Sequence, residues 1–183
     1  MLLFVPRIIV IAGCMSSGKS SALIAKLEPL RYSNRPLQIF RPAVDDHPGV
    51  HSRHGFVLDA VTVASSAHIL ESLDEATRVV GIDEAQFFDE HLADVAVELA
   101  RCGRQVIAAG LDLDWEGNLF PSMQRLLGVA EHIEKLHGWC TWPDCGEPAT
   151  RSQRTNACRE QIDVGQHNYV ARCLVHWDPA KNV

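Results

Sequence analysis

This chain lacks any long apolar run. The longest, near Ile8 to Ala12, falls far short of the about 20 consecutive apolar residues that a bilayer-spanning helix needs. It also lacks a cluster of Lys and Arg able to track a phosphate backbone, which argues against nucleic-acid binding. The leading Met1-Leu2-Leu3-Phe4-Val5 resembles a signal core only superficially, since no basic residue precedes it and no cleavage pattern follows. Internal repeats and low-complexity segments are missing too. A cytoplasmic protein without a membrane partner is therefore expected. Positive charge is in deficit, with 17 basic against 23 acidic residues and a formal net charge of −6. The imbalance is local. Residues 1–139 hold 12 basic and 18 acidic residues, whereas residues 140–183 hold five of each.

What the chain does have is enough length, 183 residues, for one good core and a small appendage. Its most informative stretch is Ile8-Ile9-Val10-Ile11-Ala12, which breaks into Gly13-Cys14-Met15-Ser16-Ser17-Gly18-Lys19-Ser20 and then a helix-forming run to Leu27. A strand, a Gly-x-x-x-x-Gly-Lys-Ser turn and a helix make a phosphate-cradling loop. The glycines let consecutive N–H groups of Gly13, Ser16, Ser17 and Gly18 aim at phosphate oxygens, and the helix N-terminus adds partial positive charge. Lys19 supplies a point charge for the outer phosphates, and the Ser20 hydroxyl can complete the shell of a Mg²⁺ ion.

Further along, Pro29 should stop the first helix, and Leu37 to Arg41 reads as a strand. The polar stretch Pro42 to Gly55, with Asp45, Asp46, His47, His51, Arg53 and His54, is long for a compact domain. With a returning strand at Ala60 to Val63 it predicts a hairpin whose tip reaches over the site. Ser65 or Ser66 should cap a helix through Leu73. Val79 to Ile82 is a buried-type strand, Glu90 to Cys102 a helix stopped by Gly103, Gln105 to Leu111 a strand, Phe120 to Val129 a helix, and His132 to Leu136 a last strand. Alternating strands and helices imply an α/β fold: a mostly parallel sheet of the phosphate-loop NTPase kind with helices on both faces. The boundary falls at about residue 139, giving a nucleotide-binding domain at 1–139 and a small C-terminal domain at 140–183.

Asp83 follows a strand, so its carboxylate should emerge at the carboxyl end of the sheet, where open α/β sheets bind ligands. There it can hold Mg²⁺ opposite Ser20, leaving the adjacent Glu84 free to accept a proton.

Six cysteines occur, and four of them, Cys140, Cys145, Cys158 and Cys173, lie in the last 44 residues beside His167 and His176. In a cytoplasmic protein this favours metal over disulfides. Cys140-x₄-Cys145 and Cys173-x₂-His176 offer four ligands for tetrahedral structural zinc, closing a loop of 27 residues. Cys158 and His167 compete for the place of His176. A segment so poor in large apolar residues needs such a staple. Loss of the metal is expected to loosen this segment, while ATP binding at the phosphate loop survives better.

The phosphate loop, Arg41-Pro42-Ala43-Val44-Asp45-Asp46, Ile82-Asp83-Glu84-Ala85-Gln86-Phe87-Phe88 and Gly110-Leu111-Asp112-Leu113-Asp114-Trp115 occur in an order that resembles the type II, cytosolic-like, zinc-containing thymidine kinases. So do Cys145 to Arg154 and the closing Val164-Gly165, Tyr169 and Arg172-Cys173. The resemblance implies transfer of the ATP γ-phosphate to the 5′-hydroxyl of thymidine, with deoxyuridine as a second acceptor, in pyrimidine salvage. It also implies Mg²⁺ and zinc as cofactors, a homotetramer, feedback inhibition by dTTP, and a lasso-like lid formed by the zinc domain. Glu84 matches the family's proposed catalytic base. Asp45, Asp83 and Gln86 match the ATP and metal side. Met15, Phe87, Leu111, Trp115, Phe120, Ser152, Val164 and Tyr169 match the thymidine side, Ser152 near the thymine methyl and Tyr169 on the closing loop. The chain departs from the family pattern in three places. Its first cysteine pair is spaced by four rather than two, His47 stands where an arginine commonly approaches the phosphates, and Arg41 replaces a common lysine.

Two rival functions belong to other classes. A zinc-containing nucleic-acid-binding ATPase would need a basic, aromatic-interleaved surface, and the tail sums to zero charge. A regulator that binds nucleotide but has lost catalysis is suggested by His47 and opposed by the retained Glu84.

Overall fold

The computed structural model describes residues 7–33, 35–44, 50–51, 57–157, 160–161 and 168–180. The strands are β1 (Ile8–Gly13), β2 (Leu37–Pro42), β3 (Val50–His51), β4 (Val57–Leu58), β5 (Val61–Val63), β6 (Val79–Ile82), β7 (Gln105–Gly110) and β8 (His132–Leu136), followed by four in the C-terminal part. One six-stranded sheet runs in the order β5-β2-β6-β7-β1-β8, and each of its pairings is parallel. Alternation along the central strands sorts side chains between two cores. Val10, Ala12, Val80, Ile82, Val106 and Ala108 face one side, where α3 (Leu92–Arg101) and α4 (Pro121–Val129) cover them. Ile11, Val79, Ile107 and Ala109 face the other, covered by Leu23, Ile24 and Leu27 of α1 (Lys19–Leu27). This is the doubly covered parallel sheet that apolar strands without polar alternation dictate.

Helix α1 stops at Leu27, and the chain tightens into a 3₁₀ turn, Glu28–Tyr32, whose early position accepts Pro29. Gly81 lets α1 lie close on the sheet, because a Cβ there would sit 2.6 Å from Leu27 Cδ1.

Two expectations are corrected. The strand after the polar loop, β5, does not return antiparallel to β2; it pairs parallel with it, Phe40 opposite Val61, as an edge of the main sheet. The hairpin is a separate small unit in which β3 and β4 pair antiparallel, with Val50 opposite Leu58. Val50 and Leu58 are buried against the α1 core, and that burial anchors the hairpin beside α1. The second correction concerns α2 (Ala67–Glu71), which is shorter than expected. Ser66 stands at its N-cap as expected, but without a side-chain capping bond: its N–H and hydroxyl bond the Asp89 carboxylate at 2.9 and 2.7 Å, tying α2 to the segment beyond β6.

Beyond β8 the chain forms two short antiparallel pairs. β9 (Gly138–Trp139) pairs with β10 (Pro148–Ala149), and β11 (Arg151–Arg154) with β12 (Tyr169–Arg172).

Candidate functional site

Parallel strands β1, β6 and β7 deliver the motifs to one end of the sheet. At the end of β1 the chain turns so close to β8 that a Cβ on Gly13 would lie 2.4 Å from the Leu136 carbonyl oxygen. Gly18 takes a left-handed φ of 86° as the N-cap of α1, a conformation glycine adopts without strain. The loop therefore closes over the helix N-terminus, and Lys19 Nζ folds back to donate to the Cys14 carbonyl at 2.8 Å. Burial pulls the Lys19 ammonium below its usual range, opposed by the charges of Glu84, Cys14, Asp83 and Asp112.

Opposite the loop, Asp83 Oδ1 accepts from Ser20 Oγ at 3.4 Å. Asp83 is nearly inaccessible, and burial, reinforced by the charge of Glu84, pushes its carboxyl up to about 7. A buried acid with so little compensating charge, facing a serine hydroxyl, fits a divalent cation bound with phosphate. Glu84 sits at φ 50°, a strained backbone conformation for a residue with a side chain and one that often marks a working site. Its Oε2 accepts from Gln86 Nε2 at 2.6 Å, and Gln86 Oε1 accepts from the Leu111 N–H at 2.9 Å. Gln86 thus links the Glu84 carboxylate to the end of β7. Gly110 leaves the room for this, since a Cβ there would meet Gln86 Oε1 at 2.9 Å. Gln86, expected on the nucleotide side, holds Glu84.

The C-terminal part leans directly on the phosphate loop. Met15 N–H donates to Ser152 Oγ at 3.0 Å, and Cys14 Sγ to the Ala149 carbonyl at 3.2 Å. Gly138 passes beneath the loop, where a Cβ would lie 3.2 Å from the Ser16 carbonyl oxygen. Tyr169 opens β12, opposite Arg154, and so stands on a strand rather than on a loop. Its hydroxyl accepts from Arg154 at 2.7 Å. The Arg154 guanidinium, wholly buried, lies 4.7 Å from the Trp115 ring and 5.3 Å from the Tyr169 ring. Nothing in the sequence singles out Arg154: an arginine on a short polar strand has no periodic signature of burial.

Cys140, Cys145, Cys173 and His176 converge, their ligand atoms all within 4.8 Å of one another. Cys145 and Cys173 sulfurs are 3.8 Å apart, and His176 Nδ1 is 3.2 Å from Cys145, 3.4 Å from Cys173 and 3.8 Å from Cys140. A tetrahedron with Zn–S bonds of about 2.3 Å has sulfur–sulfur edges of about 3.8 Å, so the four groups fit zinc. Burial opposes ionisation of Cys140, but hydrogen bonds from the Cys173 and Trp142 backbone and from His176 bring its thiol down to about 6. Cys145 is held down by a Glu147 backbone hydrogen bond, yet burial and the Cys140 and Cys173 sulfurs outweigh this and push it up. Sulfurs and an imidazole crowded in this way could share one cation. Trp142 stacks on His176, centroids 4.9 Å apart and planes 8° apart, fixing the ring. The rival ligands Cys158 and His167 lie outside the described residues.

Residues 6–177 match the family described as thymidine kinase. The chain belongs to the thymidine kinase family. A thymidine kinase of Bdellovibrio bacteriovorus is 40% identical over 174 residues, spanning 93% of this chain and 84% of that protein. Among solved structures, Pif1 helicase from Candida albicans aligns with a TM-score of 0.45 at 18% identity, over 70% of this chain and 35% of that one. The Legionella pneumophila ATPase DotB aligns with a TM-score of 0.44 at 19% identity, over 69% and 35%.

Among the described residues, several positions matched to this family's thymidine side are linked to one another or to their neighbours. Met15 and Ser152 meet directly, and Leu111 is bound through Gln86. Trp115 is packed under Arg154. Phe120, the N-cap of α4, is buried in the main core, with Phe87 half-buried nearby in the turn after β6. Asp45 and Val164 lie outside the described residues, as do His47 and Arg53.

Proposed function

We propose that this kinase transfers the γ-phosphate of ATP to the 5′-hydroxyl of thymidine, giving dTMP, with deoxyuridine as a second acceptor. The observation that carries the reading is the pairing of two carboxylates at the end of β6. Asp83 faces Ser20 of the phosphate loop, while Glu84 is turned aside and held by Gln86. In this reading the N–H groups of Gly13, Ser16, Ser17 and Gly18, with Lys19, hold the triphosphate. Ser20 and Asp83 hold Mg²⁺, which when bound neutralises charge on the phosphates. Glu84 orients the 5′-hydroxyl and accepts its proton as the phosphoryl group departs. Met15, Phe87, Leu111, Trp115, Phe120, Ser152, Val164 and Tyr169 surround the nucleoside, and Asp45 serves the phosphate side. Structural zinc at Cys140, Cys145, Cys173 and His176 staples residues 140–183 as a lasso-like lid domain on the nucleotide-binding domain 1–139.

The reading extends to a cytoplasmic homotetramer that is inhibited by dTTP. The deciding experiment is a panel of nucleosides with labelled ATP and Mg²⁺, scored for 5′-monophosphate. Thymidine should far outrun purine nucleosides. Release of phosphate without a nucleoside acceptor, stimulated by DNA, would instead favour a nucleic-acid-dependent ATPase.

A further inference from the structure

We infer that Trp177 and Asp178, the two residues that follow the Cys/His cluster, form a positioning strap that fixes the nucleoside-side wall. The inference rests on the thymidine reading for the identity of that wall, but its geometry stands alone. Trp177 Nε1 donates to the Trp115 carbonyl at 3.2 Å. Its ring edge fills the space that Gly117 leaves open, where a Cβ would lie 2.9 Å from Trp177 Cη2. Gly117 has φ 88°, so the turn both needs glycine and uses its missing side chain. The Arg151 guanidinium lies over the Trp177 ring at 5.5 Å. Asp178 completes the strap through a reciprocal pair: its N–H donates to Gln153 Oε1 at 2.8 Å, and Gln153 Nε2 donates to its carbonyl at 2.7 Å. Gln153 is buried, and this pairing helps to satisfy its amide there.

The strap therefore grips two pieces of the wall at once. One is the turn 113–119, already internally stiff: Leu113 and Leu119 are bridged, and Asp114 Oδ1 accepts from the Glu116 and Asn118 N–H groups at 2.9 and 2.8 Å. The other is β11, which carries Ser152 to the phosphate loop and Arg154 to Trp115 and Tyr169. Since His176 immediately precedes Trp177, closure of the metal cluster sets where the strap begins. The Cys/His cluster thus reaches the nucleoside wall along the chain, and not only through the loop between Cys145 and Cys173.

The test uses the full, zinc-loaded chain with Trp177→Ala, Trp177→Phe and Gln153→Leu. In Trp177→Ala the KM for thymidine should rise about tenfold while kcat and the KM for ATP stay within about twofold, as expected when a binding wall is loosened and the chemistry is untouched. Trp177→Phe, which keeps an aromatic ring but loses the N–H and the distal ring edge that reaches Gly117, should fall between parent and Trp177→Ala. Hydrogen exchange of the 113–119 amides should quicken in Trp177→Ala with zinc content unchanged by elemental analysis. An unchanged thymidine KM with unchanged exchange would overturn the strap, as would an equal rise in both KM values. If Trp177→Ala does not fold, Trp177→Phe and Gln153→Leu carry the same comparison. A parent enzyme that does not phosphorylate thymidine would sink the proposed function instead; exchange in the 113–119 turn would then still decide whether the strap exists.

Discussion

Lys19 is the residue on which the phosphate loop turns. Its ammonium is folded onto the Cys14 carbonyl, and burial among Glu84, Cys14, Asp83 and Asp112 leaves it poised for a multiply charged ligand. Lys19→Ala should nearly abolish turnover, and a variant with parental rates would remove the loop from the mechanism. Glu84 differs in kind, because its strained φ and its bond to Gln86 hold the carboxylate in one direction. Glu84→Gln should lower kcat by about 10²-fold or more with little change in thymidine binding; near-parental kcat would move the base elsewhere. Asp83 yields a pH prediction. Its native carboxyl titrates at about 7 against an ordinary value of 3.8. Between those values the folded protein keeps a proton that the unfolded chain has released, so stability falls as pH rises from about 4 to 7 and levels off above. Asp83→Asn, measured without Mg²⁺ or nucleotide, should flatten that slope and melt higher than the parent at pH 8. An unchanged melting profile would mean that Asp83 is ionised in the native state throughout.

At the scale of elements, legibility follows the strength of local signals. β1, the phosphate loop and β6 are readable because an apolar run broken by glycine or by a carboxylate pair has few other structural uses. The return strand misleads because proximity in sequence suggests antiparallel pairing. Instead β5 gains by extending a parallel sheet, and the short β3–β4 pair is held by Val50 and Leu58 against α1. Gln86 and Ser152 are singled out by the family resemblance, yet their pairing with Glu84 and Met15 is not, since a side-chain hydrogen bond across the fold leaves no trace in spacing. Arg154, Gln153 and Trp177 escape notice for the same reason. The contact between α1 and the sheet supplies a test at this scale. Gly81→Val would force branched carbon against Leu27 and Ile39, since even its Cβ would lie 2.6 and 3.2 Å from them. It should cost about 1–3 kcal/mol of stability in a denaturant melt, and a neutral result would mean that α1 can move off the sheet freely.

For the whole molecule the question is how far the Cys/His cluster reaches. Read from the sequence, the cluster staples the small C-terminal domain, and nucleotide binding at the phosphate loop is expected to survive its loss better than thymidine binding. The loop is nonetheless not isolated from the cluster, because Cys14 shares a small buried core with Cys140, Cys173, Ala149 and Ala171. Beside it, the Cys14 thiol bonds Ala149, the Met15 N–H bonds Ser152, and Gly138 runs beneath Ser16. The Cys/His cluster, the C-terminal strands and the loop at residues 13–20 therefore form one packed unit. If the cluster holds zinc, as proposed, removing it deprives that unit of a staple and leaves crowded sulfurs that repel one another when ionised. Protein purified without chelator should carry one zinc per chain by elemental analysis, and a Cys140→Ser/Cys173→Ser double variant should carry none. Chelation should lower the melting temperature and weaken thymidine binding, and in titration calorimetry it should also weaken binding of a non-hydrolysable ATP analogue. Intact nucleotide affinity in zinc-free protein would show that the phosphate loop keeps its shape without its neighbours, and the coupling argued from Cys14 and Met15 would fall.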